Sequence, residues 1–232
     1  MKRYTLLIAF FLISVSLFSQ HTLLSEQTID FSDPGKKGPN LARYTMSYFN
    51  LAYSFGQSTK GAELSPLAIH NANIGIRGKR KINNYLACGL ALNYHFASFP
   101  IKQNSDKIMP DTLTYHRQSL KLSAPGAEAY IRINFNKRRG NYMGTFMDLG
   151  GRAEFNIFNS VKNTYFTDTQ KHIDKIHRIP FIEPISGYVV MRVGHNFLSL
   201  IATYRFTDLF KPVYEFPELP RYSIGLEINN FK

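Results

Sequence analysis

Three sets of residues have the types and spacing that chemistry could use. The first is a group of charges set inside otherwise apolar runs: Arg77, Arg132, Arg152, Arg192 and Arg205 with Glu128, Asp148, Glu154 and Glu227. Cations and anions in such near-balance suit ion pairing in a dry interior, because an unpaired buried charge is costly. The second set is His95 and Ser98. A serine nucleophile needs a base within hydrogen-bond reach, and a three-residue separation on a strand puts the two side chains on opposite faces. The third is His172 and His177 beside Asp168, Asp174 and Lys175. That spacing would suit zinc on a helix, but the surrounding segment, 158–178, has the polar composition of a loop, where histidines are simply solvated. Cys88 is the one cysteine; it reads as a small apolar residue, with neither a disulfide nor a redox role. No catalytic residue, metal ligand or cofactor is expected.

The elements that carry these residues have a period of two almost throughout. Leu86, Cys88, Leu90, Leu92, Tyr94 and Phe96 alternate with Ala87, Gly89, Ala91, Asn93, His95 and Ala97. Ala127, Ala129, Ile131 and Ile133 oppose Glu128, Tyr130, Arg132 and Asn134. Met143, Thr145, Met147, Leu149, Ala153 and Phe155 oppose Phe146, Asp148, Arg152 and Glu154. Three further runs follow at 185–193, 198–206 and 222–229, and a weaker one at 68–78. The first segment, 42–56, carries Tyr44, Met46 and Tyr48 on its apolar face and then slips phase to Leu51, Tyr53 and Phe55. A β-bulge near Tyr48-Phe49 would explain the slip, and Pro125-Gly126 marks a similar break.

Eight strands result, and their connections alternate in length. Short turns fall at 79–84, 136–141 and 194–196. Long polar loops fall near 57–67, 99–116, 158–178 and 211–220. An up-and-down barrel in an outer membrane sorts its loops in this way, with short turns in the periplasm and long loops outside. The expected fold is therefore all-β, an eight-stranded antiparallel transmembrane β-barrel over residues 41–232. Ahead of it, Lys2-Arg3, the apolar run from Thr5 to Phe18 and Ser19-Gln20 describe a signal peptide over 1–20. Residues 21–40, with Asp33-Pro34-Gly35, form a flexible periplasmic leader.

In such a barrel the apolar rows face hydrocarbon and the charged rows fill the lumen. Aromatic residues gather at both strand ends, as interfacial girdles do. Tyr44, Tyr85, Phe135, Tyr142 and Phe231 lie toward the short turns. Tyr53, Phe55, Tyr94, Phe96, Phe155, Tyr204, Phe206 and Tyr222 lie toward the long loops. The composition, with 44% hydrophobic, 14% aromatic and 19% charged residues, excludes a disordered chain. The net charge of +12 collects in part in Lys79-Arg80-Lys81 and Lys137-Arg138-Arg139. With no nucleic-acid motif beside them, these read as solvated periplasmic turns, or contacts to anionic headgroups or a periplasmic partner.

The signal segment, the turn Asn136–Asn141 between two strands and the ending Leu219–Ile228 resemble the small outer-membrane barrels of the OmpX, OmpA-barrel and PorT-like types. The chain's end directly after a strand fits the same group. The resemblance implies a fold and an outer-membrane location in a Gram-negative bacterium, and no catalytic residues. It also implies outer-membrane lipid and lipopolysaccharide as partners, with other envelope or secretion-complex proteins as candidates. The expected function is non-enzymatic: an ion-paired barrel whose external loops contact the envelope or the surroundings. The alternatives are an accessory subunit of a secretion or assembly complex, a lipid-modifying enzyme and a narrow pore.

Overall fold

The computed structural model describes residues 38–230, apart from 56–60, 66–69, 137–139, 141 and 168–169. The segment assigned to export, most of the leader, the basic triplet 137–139, Asp168 and the two C-terminal residues lie outside these. Among the described residues the strands are β1 (Arg43–Phe55), β2 (Asn71–Lys81), β3 (Leu86–Ile101), β4 (Arg117–Asn134) and β5 (Thr145–Phe155). They continue with β6 (Phe158–Thr167), β7 (Gln170–His177), β8 (Ile185–His195), β9 (Leu198–Arg205) and β10 (Tyr222–Asn230). A single 3₁₀ turn, Pro212–Tyr214, lies between β9 and β10.

Pairing runs β3-β2-β1-β10-β9-β8-β5-β4, and β4 returns to β3. Every neighbouring pair is antiparallel, so the chain forms a closed eight-stranded antiparallel barrel. Closure leaves no free edge in the ring. Local chemistry supports the short turns at one end. Asn83 Oδ1 accepts from the N–H groups of Tyr85 and Leu86 at 2.8 and 2.7 Å. Asn196 takes a positive φ of 51° in the two-residue link between β8 and β9, a conformation asparagine tolerates better than most residues.

The polar loop expected over 158–178 is instead the hairpin β6–β7. It pairs with the first half of β4, Arg117–Ser123, while β5 pairs with the second half, Gly126–Asn134. A four-stranded wall of β3, β4, β6 and β7 thus rises past the rim of the barrel. The remaining long connections do not simply hang in solvent. They supply Ala62, Met109, Ile179, Ile182, Leu209, Phe210 and Leu219 to an apolar cap, which packs on Phe99, Ile101, Leu120, Leu122 and Val161.

Neither bulge expected from the pattern is present. β1 alternates without interruption and keeps register with both β2 and β10. Tyr44, Met46 and Tyr48 point inward, and Phe49, Leu51, Tyr53 and Phe55 point outward. β4 likewise runs straight through Pro125-Gly126. In both strands the environment inverts while the backbone continues. Outward-facing residues of β4 are Arg117, Ser119 and Lys121 above Pro125, then Ala127, Ala129, Ile131 and Ile133 below it. Inward-facing residues change in the opposite sense, from Leu120 and Leu122 to Glu128 and Arg132. A change of surroundings along an unbroken strand has the same sequence signature as a one-residue slip.

The inversion also corrects two side-chain assignments. Tyr44 does not join the lower aromatic ring, and Met143 does not face outward. Both are buried with Met46 and Phe146 in a small apolar floor. Exposed Tyr85, Phe135, Tyr142 and Phe197 surround that end. At the other end Tyr53, Phe55, Phe96, Phe155, Phe206 and Tyr222 are exposed, and Tyr204 and Phe55 stack on Tyr222 with ring centroids 4.8 and 6.0 Å apart.

Candidate functional site

The interior is a charged layer held between the apolar floor and the apolar cap. Strand tilt puts inward side chains from alternate strands at one level of a barrel. In the ring order, β2, β10, β8 and β4 are every second strand, and they contribute Arg77, Glu227, Arg192 and Glu128. These four side chains form one continuous chain across the lumen. Arg77 donates to Glu227 through Nη1 at 2.9 Å and Nη2 at 3.1 Å. Arg192 donates from Nε to Glu227 Oε2 at 3.0 Å and holds Glu128 with Nη1 and Nη2 at 2.6 and 2.7 Å. Two guanidiniums cancel two carboxylates, and bidentate geometry gives these bonds their strength. Tyr48 of β1 lies against the chain, its ring centroid 4.2 Å from Arg77 Cζ and 6.0 Å from Arg192 Cζ.

Two smaller units flank it. Arg132 and Asp148 are direct partners in the β4–β5 register, with Nε–Oδ1 at 2.6 Å and Nη2–Oδ2 at 2.7 Å. Arg132 also reaches Met143 Sδ at 3.0 Å and stands 3.8 Å over the Phe146 ring, so the apolar floor backs this pair. In the second unit Glu154 meets Arg152 Nε at 2.9 Å and His95 Nδ1 at 2.7 Å. Arg152 lies 4.8 Å from the Tyr188 ring centroid, and His95 Nε2 is 3.1 Å from Asn71 Oδ1.

Of the nine charges singled out in the sequence, Arg205 stands apart. It lies at the upper rim and donates to Glu218 at 2.7 Å and to the Leu219 carbonyl at 3.1 Å. Participants that were not anticipated include Glu218, Tyr48 and His95. Glu218 lies in a connection without periodicity and carries no strand signal. Tyr48 was placed on the outward row by the apparent slip in β1. His95 is different, because its place in the inward row of β3 was legible and its pairing with Glu154 was not. Above the charged layer is a polar cavity of about 30 Å³, bounded among others by Asn73, His95, Arg152 and Tyr188. That is room for about two water molecules, and the amide atoms of Asn73 have no protein partner there.

The other candidate groups are not assembled into sites. Ser98 is on the opposite face of β3 from His95. His172 stacks on Tyr165 at 5.3 Å and faces the other side of β7 from His177. Among the described residues no cluster of three or more His, Cys, Asp or Glu could hold a metal ion.

The outer surface has the opposite character. Leu90, Leu92 and Ile131 are 70, 71 and 58% exposed, whereas Arg77, Arg132 and Arg192 are fully buried. Ile74, Ile76, Leu149, Val189, Met191, Leu200, Leu226 and Ile228 extend this exposed apolar surface around the barrel.

No protein-family model matches the chain, and no curated protein matches it in sequence. Among solved structures it is similar to that of Ail, the attachment invasion locus protein of Yersinia pestis, in complex with the heparin analogue sucrose octasulfate. The identity is 9%, over 80% of this chain and 91% of that one, with a TM-score of 0.27. So distant a likeness adds nothing to the barrel assignment, which rests on the strand pairings.

Proposed function

We propose that this protein is an outer-membrane β-barrel exported by residues 1–20, non-catalytic, with a lumen closed by ion-paired side chains. The observation that carries the reading is the exposed apolar belt around a charged interior. A soluble barrel would place these faces the other way. The belt has the right height. From Leu86 to Phe96 the outward row of β3 covers about 33 Å of strand, or about 25 Å along the axis at a tilt of ~40°, which matches the apolar band of such barrels. Toward the short turns, outward residues turn polar at Arg43 and Arg80, and above the belt at Ser98 and Lys121.

With floor, charged layer and cap in series, the lumen works as a strut that holds the barrel round. The wall and loops above the belt are the surface offered to the envelope and its surroundings. The test is cell fractionation with carbonate extraction and gel migration with and without boiling. Recovery in the outer-membrane fraction with heat-modifiable migration is the expected result. Recovery in the soluble periplasm would refute the reading.

A further inference from the structure

The wall above the belt sorts its charges by face. Among the described residues, its outward side carries Arg117 and Lys121 on β4, Lys162 on β6, and Lys171 and Lys175 on β7. The pairing register fixes this, because directly opposed residues share a face: Ser98, Lys121, Ser160 and His177 form one row, and Ser119, Lys162 and Lys175 the next. No carboxylate occupies that face among the described residues. The acids lie behind it. Asp111 accepts from Lys107 and Gln118 at 3.0 and 3.2 Å. Asp174 stands opposite Asn163, whose Oδ1 accepts from Gln118 at 2.9 Å.

This arrangement is costly for folding alone. Like charges directly opposed across two strands destabilise a sheet, and Lys162 faces Lys175 with Lys121 on the diagonal. Desolvation by nearby protein atoms, followed by the charges of Lys121, Lys175, Lys171 and Arg117, holds the Lys162 ammonium below the ordinary lysine value. None of the five cations makes an ion pair among the described residues. Arg117, Lys121, Lys162 and Lys171 line a groove of about 410 Å³ together with the buried residues Ser119 and Thr164, whose hydroxyls can donate to an anion between the cations, and Lys175 stands beside it, opposite Lys162.

Position identifies the anion's carrier. The same outward column runs without a break from Lys121 through Ser123 and Pro125 to Ala127, Ala129 and Ile131, beside Phe96 and Phe158. A ligand with phosphates at Lys121 and Lys162 would therefore have the apolar belt directly beneath it. We infer that the outward face of the β3–β4–β6–β7 wall is a binding site for a multiply phosphorylated lipid headgroup of the outer leaflet, held by Arg117, Lys121, Lys162, Lys171 and Lys175 with its acyl chains along the belt. The inference rests on the membrane reading above.

The experiment uses the full barrel in detergent micelles and native mass spectrometry with diphosphoryl lipid A, monophosphoryl lipid A, inorganic pyrophosphate and soluble heparin as separate probes. Diphosphoryl lipid A is expected to be retained most strongly, and pyrophosphate weakly. Because charge-assisted bonds are each worth about tenfold or more in affinity, losing one phosphate or making the K162Q/K175Q change should weaken retention by at least about tenfold. K211Q, which removes a lysine from the β9–β10 connection on the other side of the ring from β4, should change nothing. Heat-modifiable migration confirms that each variant is folded. Equal retention by folded wild type and K162Q/K175Q would overturn this inference and leave the membrane reading standing. Tighter binding of soluble heparin than of lipid A would also overturn it, since the site would then serve a polysaccharide. Absence of a heat shift in the wild type would remove both.

Discussion

Glu227 is the joint of the charged layer, and its replacement by glutamine isolates what that layer contributes. The carboxylate accepts from Arg77 twice, from Arg192 Nε, and from Asn50 Nδ2 at 3.5 Å. Glu227 and both of its charged partners are fully buried. In E227Q the volume is kept, but Arg77, Arg192 and Glu128 then carry a net positive charge in a dry interior. Breaking one side of a buried pair costs about 3–5 kcal/mol, because the remaining charge is left uncompensated. At about 2–4 °C per kcal/mol for a chain of this size, the heat-modifiable transition should fall by roughly 6–20 °C, with a matching drop in the urea midpoint in detergent. The compensating double variant R77M/E227Q restores neutrality, leaving Arg192 against Glu128. It should recover more than half of the loss, since a pair removed as a unit is close to neutral. The exposed pair Lys102–Glu63, 57 and 29% accessible, provides the contrast: E63Q should cost under about 1 kcal/mol. If E227Q unfolds at the wild-type midpoint, or the double variant is worse than the single one, the lumen is not a dry ion-paired layer and the account of its rigidity is wrong.

Outward charge should be penalised by depth. L90R is expected to cost about 2–4 kcal/mol for insertion into lipid vesicles, while R43E, below the belt, should insert normally; equal insertion yields for the two would place the belt elsewhere. Gly75 lies beneath the Tyr48 ring, and a Cβ there would stand 2.5 Å from the Leu92 carbonyl and 2.8 Å from Tyr48 Cζ. G75A should therefore lose about 1–3 kcal/mol to overpacking, whereas G151A, with nothing within 4 Å, should be neutral in the same urea titration. In planar bilayers the wild-type barrel should show no conductance above that of the lipid, because its polar cavity of about 30 Å³ lies between filled layers. Stable single-channel steps would contradict that.

The strands themselves were legible in the sequence. A period-two pattern and the alternation of short and long connections depend only on neighbouring residues and loop lengths, so the eight barrel strands and the sorting of their links could be read directly. The inward row was legible too wherever it carried charge, as at Arg77, Arg132 and Arg192. Periodicity reports contrast between two faces, however, and does not say which face is inside. Where a strand passes from one environment to another the contrast reverses, and at Tyr48-Phe49 and Pro125 that reversal mimicked a bulge in an unbroken strand. The β6–β7 hairpin escaped notice for a related reason: above the belt both of its faces are largely polar and its stability comes from pairing with β4. The choice of ion-pair partners was also tertiary. Glu128 stands opposite Arg152 in the sheet yet binds Arg192 two strands away, because strand tilt brings alternate strands to a common level, and that geometry exists only once the barrel has closed.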